Sequence, residues 1–255
     1  MNRLRLFSIL TLFLCACQLS EEHYIHTVPG NGGRQYNTVS DIVPPPGYER
    51  MDTTAHSFGN WLRQIAVRKD DHVYLYNGKL KKNQSAQFAV LDISVGQKDL
   101  QQCADAVMRL RAEYLFNQKR YSEIMFTDNA GKIYQCTDNG SRSAFDRYLE
   151  TVFGWCGSAS LEKQLSPVTD ISAIQPGDVF IKGGFPGHAM IVMDVAVNKK
   201  GNKVFMLAQS YMPAQDIHIV RNPLKAGSPW YAVEDIEDEV TTPEWAFEPG
   251  QLRRW

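Results

Sequence analysis

Cys103, His188 and Gln209 have the types and the chain order that acyl transfer through sulfur requires. Only a thiolate is an effective nucleophile, so Cys103 needs a base and a locally positive field. His188 can act as that base if an acceptor holds its far ring nitrogen and fixes the tautomer. Gln209 can supply the acceptor through its amide oxygen. It does not titrate, and so stabilises an imidazolium less than a carboxylate would. Asp194 and Asp216 are the alternative orienters, but Asp194 lies six residues along an extended strand from His188, roughly 20 Å away. Donors for an oxyanion are the Cys103 backbone N–H and Gln101 or Gln102. Tyr211, Met212, Trp230, Tyr231 and Trp245 are candidates to line the substrate cleft, set against the commoner placement of an aromatic in a core. Each member of the trio also has an ordinary structural reading: a cysteine on an apolar stripe, a histidine capping a sheet edge, a glutamine at a strand end.

The elements that must position these residues can be read from pattern. Asp99 as N-cap, with Gln102 three residues on, predicts a helix carrying Cys103 about one turn in, where free N–H groups and the helix dipole favour an anion. Pro176-Gly-Asp turns the chain into a strand, and Gly183-Gly-Phe-Pro-Gly187 delivers His188 to the start of another. Predicted strands are Val73–Tyr76, Phe88–Val95, Asp178–Ile181, His188–Ala196, Lys203–Gln209 and Ile217–Val220, with a hairpin over Ile124–Phe126 and Ile133–Cys136. Helical spacing predicts helices over Ser57–Ile65, from Ser143 to about Trp155, and over Ser160–Leu165. Helices first and an antiparallel meander after them make an α+β domain.

The N-terminus is read as an export signal. Arg3 and Arg5 precede the apolar run Leu6–Leu14, and Leu14-Cys-Ala-Cys17 resembles a bacterial lipobox. The expected organisation is a signal peptide over 1–16, lipidation at Cys17, a polar tether over 17–47 and a single domain over 48–255, with its core at about 94–220. Gln18 after the lipidated cysteine resembles the signal for outer-membrane sorting, so the chain is expected in the cell envelope, anchored to a membrane through lipid. Export permits disulfides. Either Cys136 pairs with Cys156 and leaves Cys103 free, or all three thiols are reduced and buried. Lys+Arg 27 against Asp+Glu 28 gives a net charge of -1 and no electrostatic reason to expect nucleic acid. The 6 histidines show no metal-ligand spacing, and neither a phosphate loop nor a dinucleotide fingerprint is present, so no metal or cofactor is expected.

Gln102-Cys103-Ala, Pro176-Gly-Asp with Gly187-His188-Ala-Met-Ile-Val, and Val204-Phe-Met-Leu-Ala-Gln209 resemble the three blocks of the NlpC/P60 and CHAP cysteine peptidases and amidases. That resemblance implies a papain-like core, with an antiparallel sheet packed against helices that carry the nucleophile. It also implies cleavage of an amide bond in peptidoglycan-derived peptides. Arg120–Ser172 and Asn222–Trp255 would then be additions that wall the cleft. Over most of the chain, Asp99-Leu-Gln-Gln-Cys-Ala-Asp-Ala, Arg109-Leu-Arg-Ala-Glu-Tyr114, Leu207-Ala-Gln-Ser-Tyr-Met-Pro-Ala-Gln215 and Pro229-Trp-Tyr231 resemble a bacterial lipoprotein family, domain of unknown function 4846. Two departures from the NlpC/P60 pattern are the missing Asp-Cys-Ser-Gly form at Cys103 and a glutamine at 209, where His, Glu or Asn is more usual. The competing reading is a non-catalytic envelope protein that binds cell-wall or peptide ligands on the same fold.

Overall fold

The computed structural model describes residues 36–137 and 140–255. The expected signal peptide, Cys17 and most of the expected tether lie outside these residues. The last part of that tether belongs to the domain instead. Val39 and Ile42 are buried, the Val39 N–H donates to the Ile65 carbonyl at 3.0 Å and the Val67 N–H to that of Asn37 at 2.9 Å. Two apolar side chains in the polar run Asn37–Ile42 suffice to seat it.

In chain order the first elements are β1 (Tyr48–Arg50), α1 (Phe58–Arg63), β2 (Gln87–Val90) and α2 (Cys103–Asn117). A hairpin of β3 (Met125–Thr127) and β4 (Ile133–Gln135) leads into α3 (Arg142–Trp155) and α4 (Ser158–Gln164). Then come β5 (Ser166–Pro167), β6 (Val179–Lys182), β7 (His188–Asn198), β8 (Lys203–Gln209) and β9 (His218–Val220). The last segment carries β10 (Trp230–Ala232), a second hairpin of β11 (Val240–Thr241) and β12 (Ala246–Phe247), and β13 (Leu252–Arg254). The main sheet runs β2-β9-β8-β7-β6-β13-β5, with β1 on the far end of β7 and β10 on β8. Its pairings are antiparallel. This is a mixed α+β fold, an antiparallel sheet packed against several helices.

Alternation along the strands divides the core between the two faces of the sheet. Ala189, Ile191, Met193, Met206 and Ala208 face a cluster with Ala104, Val107, Met108 and Leu110 of α2. Met190, Val192, Phe205 and Leu207 join Phe180, Val240 and Phe247 on the other face. The expected hairpin and helices are present with shifted ends. Val73–Tyr76 is not a strand: Tyr74 and Leu75 make only isolated bridges, to Leu80 and Gln215. Polar neighbours at Asp70, Asp71 and Asn77 leave it no continuous apolar face.

Asp194 is fully buried on β7 and accepts from Arg50 Nε at 2.6 Å and Arg63 Nε at 2.7 Å. It therefore clamps β1 and α1 to the central strand and is no orienter of His188. Asp216 is likewise committed, to Arg68 Nη2 at 2.6 Å and the Tyr74 N–H at 2.8 Å.

Candidate functional site

Cys103 is the first residue of α2, closer to the helix start than the sequence pattern suggests. Gln102 is the N-cap, and its N–H donates to Asp105 Oδ2 at 3.0 Å. Asp99, expected as the cap, holds the neighbouring loop: its Oδ1 accepts the Ala214 N–H at 2.7 Å and Gln102 Nε2 at 3.1 Å. Ser210 Oγ adds a second tie, donating to the Gln101 carbonyl at 2.9 Å. The start of α2 is thus stitched to the turn that follows β8, which also carries Tyr211 and Met212.

The sulfur lies at the head of β7. Backbone N–H groups of Ala104, Ala189 and Cys103 itself favour its thiolate, but burial and the Asp105 carboxylate prevail and push the thiol up to about 11. The helix-start effect expected from sequence is present and outweighed, because Cys103 is only 9% exposed. Asp105, buried under the same helix turn, is itself held well above the usual carboxylate range by desolvation.

His188 opens β7 and is buried. Its Nε2 lies 2.7 Å from Gln209 Oε1. The two residues are diagonal neighbours across β7 and β8, whose register sets Ile191 opposite Ala208. An amide oxygen only accepts, so Nε2 carries the ring proton and Nδ1 presents the lone pair. Burial lowers the imidazole to about 4, against the raising effect of Gln209. Tyr211, Trp245 and Phe247 surround the ring at centroid distances of 4.9, 5.2 and 5.9 Å. Thiol and imidazole are therefore both neutral at pH 7, and no hydrogen bond joins them among the described residues.

Behind Gln209 stands a polar group without any sequence signal. Gln209 Nε2 donates to Glu244 Oε2 at 2.8 Å, and Lys81 Nζ reaches the same oxygen at 2.5 Å. Desolvation lowers Lys81 despite Glu244. Asn83 Nδ2 donates to the other carboxylate oxygen at 3.3 Å, and buried His218 sets its Nε2 3.4 Å from Gln209 Nε2. Glu244 follows Pro243 in a stretch with no periodicity, where Trp245 is the only residue the sequence singles out.

A cavity of about 240 Å³ opens over the sulfur, lined by Cys103, Asp105, Phe153, Cys156, Ser158, the Gly184–Gly187 loop and Met212. Phe185 and Met212 stand exposed at its rim. Of the two expected walls only the first lines the cavity, through Phe153 to Ser158; no residue of Asn222–Trp255 does, and Trp245 and Phe247 pack against His188 instead. Gln102 lines the cavity, but its backbone N–H is taken by Asp105. Gln101 does not line it. Its Oε1 accepts from Arg109 Nη1 at 3.1 Å, and its side chain faces a neighbouring depression with Arg109 and Arg142. Trp230 and Tyr231, expected at the cleft, are core residues of β10. Trp230 Nε1 donates to the Val43 carbonyl at 3.0 Å and Tyr231 Oη to that of Arg221 at 2.6 Å. Tyr211 stays at the site, and its hydroxyl bonds to no described residue. Cys103, Cys136 and Cys156 are all free and buried, so the expected alternative of a Cys136–Cys156 bridge is not formed. Among the described residues, the acids and histidine grouped closely enough to hold a metal ion are Asp70, Asp71 and His72.

Residues 39–142 and 128–254 match domain of unknown function 4846. The chain belongs to that family. Cys103, His188, Gln209 and Glu244 all fall within the matched segments, so the site is part of the 4846 domain proper. No curated protein and no solved structure matches the chain.

Proposed function

We propose that this 4846-family protein is a cysteine hydrolase of the cell envelope that cleaves an amide bond in peptidoglycan-derived peptides through Cys103, His188 and Gln209. The observation that carries the reading is the 2.7 Å bond from His188 Nε2 to Gln209 Oε1. It leaves Nδ1 as the basic nitrogen of a ring that packs against Tyr211, Trp245 and Phe247 and stands outside the lining of the cavity over Cys103, so attack requires the ring to turn toward the sulfur. The NlpC/P60 and CHAP resemblance supports a papain-like plan, and the lipobox supports anchoring of the mature chain through Cys17. Among the described residues no helix is long and apolar enough to cross a membrane.

With a neutral resting pair, His188 acts as general base during attack. Its Nδ1 takes the thiol proton while sulfur bonds to the carbonyl carbon and the carbonyl electron pair moves to oxygen. The Cys103 N–H is the donor available to that oxyanion. Collapse breaks the C–N bond, and imidazolium passes its proton to the departing amine. Water, deprotonated by His188, then attacks the thioester. Sulfur leaves and regains the proton.

The raised thiol and lowered imidazole favour one competing reading, a binding protein with an inert buried cysteine. Incubating the protein and a Cys103→Ala variant with cell-wall muropeptides and reading products by mass separates the two. Cleavage by the native protein alone is expected; identical product patterns would overturn the hydrolase.

A further inference from the structure

Gln209 poses a problem of symmetry. Its amide oxygen and nitrogen have nearly the same shape, and a half-turn would exchange them. Rotated that way, the nitrogen would face His188 Nε2, which would then have to accept, so the ring proton would move to Nδ1 and remove the base nitrogen. Something must forbid the rotation.

We infer that Glu244, held by Lys81 and assisted by His218, fixes the orientation of the Gln209 amide and so the position of the proton on His188. The assignment rests on the reading of His188 as the base. A carboxylate only accepts, so Glu244 Oε2, 2.8 Å from the amide nitrogen, must face N–H and not C=O. His218 gives the same instruction. Its Nδ1 lies 2.9 Å from the Asp216 carbonyl, so that nitrogen carries hydrogen and Nε2 offers a lone pair, 3.4 Å from the same amide nitrogen. Two acceptors meet the two hydrogens of one NH₂ group, and the oxygen is left for His188. Lys81 Nζ, at 2.5 Å, holds the Glu244 carboxylate in place from the other side. A glutamine thereby performs the orienting task at a distance from the charge: the carboxylate acts through an amide and never touches the imidazole. Glu244, Lys81 and His218 are positioning residues.

Long-range ¹H–¹⁵N correlation spectra of the mature protein test this without reference to turnover, with His188 and His218 signals assigned through His188→Asn and His218→Asn. The native protein is expected to show a pyrrole-type Nε2 and a pyridine-type Nδ1 for His188, and the reverse for His218. A wild-type His188 carrying its proton on Nδ1 would overturn the proposal, and this result needs no variant to fold. In Lys81→Met/Glu244→Gln, a side chain able to donate or accept replaces the carboxylate. The His188 nitrogens are then expected to show a mixture of tautomers while His218 keeps its own. On muropeptides kcat should fall about tenfold or more with KM little changed. A variant ring still wholly Nε2-protonated would refute the role. If the tautomers are as stated and no muropeptide is cut, the hydrolase reading fails while the positioning argument stands.

Discussion

The electrostatics of Cys103 can be tested through its reactivity with iodoacetamide. Burial and Asp105 raise the thiol from 9.0 to about 11. Two units correspond to about 2.7 kcal/mol against the thiolate, or about a hundredfold less of it at any pH below 9. At pH 7 the reactive fraction falls from about one in a hundred to about one in ten thousand. The assay follows alkylation of the Cys103 peptide by mass between about pH 5 and pH 10, in folded protein and in urea, so that Cys136 and Cys156 are resolved separately. The folded-state rate should rise about tenfold per pH unit without a plateau below about pH 9, while the urea sample levels off earlier. Asp105→Asn removes a carboxylate that opposes the thiolate and should move the curve to lower pH. Slower access to a buried sulfur scales the whole curve and leaves its slope alone. A flat rate from about pH 5 to pH 8, above that of the unfolded chain, would mean a thiolate–imidazolium pair at rest and would refute the claim that desolvation governs the site.

Other expectations concern the scaffold. His188 and His218 sit below their ordinary 6.5, at about 4 and about 3. As pH falls below 6.5 the unfolded chain binds protons that the native one refuses, so stability should be lost progressively towards pH 4. That loss is roughly 5 kcal/mol for the pair by pH 4.5, partly offset by the raised Asp105 and Asp178; urea midpoints at pH 7 and 4.5 measure it, and an unchanged midpoint would contradict the assignment. Asp194→Ala should cost about 3–5 kcal/mol by leaving Arg50 and Arg63 facing no carboxylate; a loss below about 1 kcal/mol in chemical denaturation would show the clamp to be dispensable. Gly187→Ala would set a Cβ 2.5 Å from Ser158 Oγ and 2.8 Å from the Lys182 carbonyl, against the Gly184 carbonyl as well. It should displace the loop before His188 and reduce muropeptide cleavage more than it lowers Tm, whereas a fully active variant would show that this loop tolerates the shift.

The placement of Cys103, His188 and Gln209 at the ends of α2, β7 and β8 is legible in the sequence because the apolar pattern of each element is strong. Asp99 predicts a cap one turn before the observed one because its carboxylate is taken by the N–H of Ala214, distant in sequence, which leaves Gln102 as N-cap with Asp105 as its partner. Aromatic character alone does not separate a cleft lining from a core, and pairing with Met206 and Phe205 puts Trp230 and Tyr231 in the sheet. Lys81, Glu244 and His218 left no trace at all. Their meaning comes from mutual placement, with no spacing for a linear pattern to detect.

The Lys81–Glu244 contact joins residues 163 positions apart and completes the polar row behind His188. Glu244 hangs from the connection between β11 and β12, two strands of two residues each that pair only with one another. Val240 and Phe247 seat this ribbon on the main sheet through Phe180, so its hold on Glu244 depends on two buried side chains and one short pairing. Were that seat disturbed, Lys81 and Gln209 would lose their common partner at the same moment. A ligand or mutation that merely loosens or tightens this ribbon would therefore act on the imidazole as a remote dial, grading its readiness while every member of the trio stays in place.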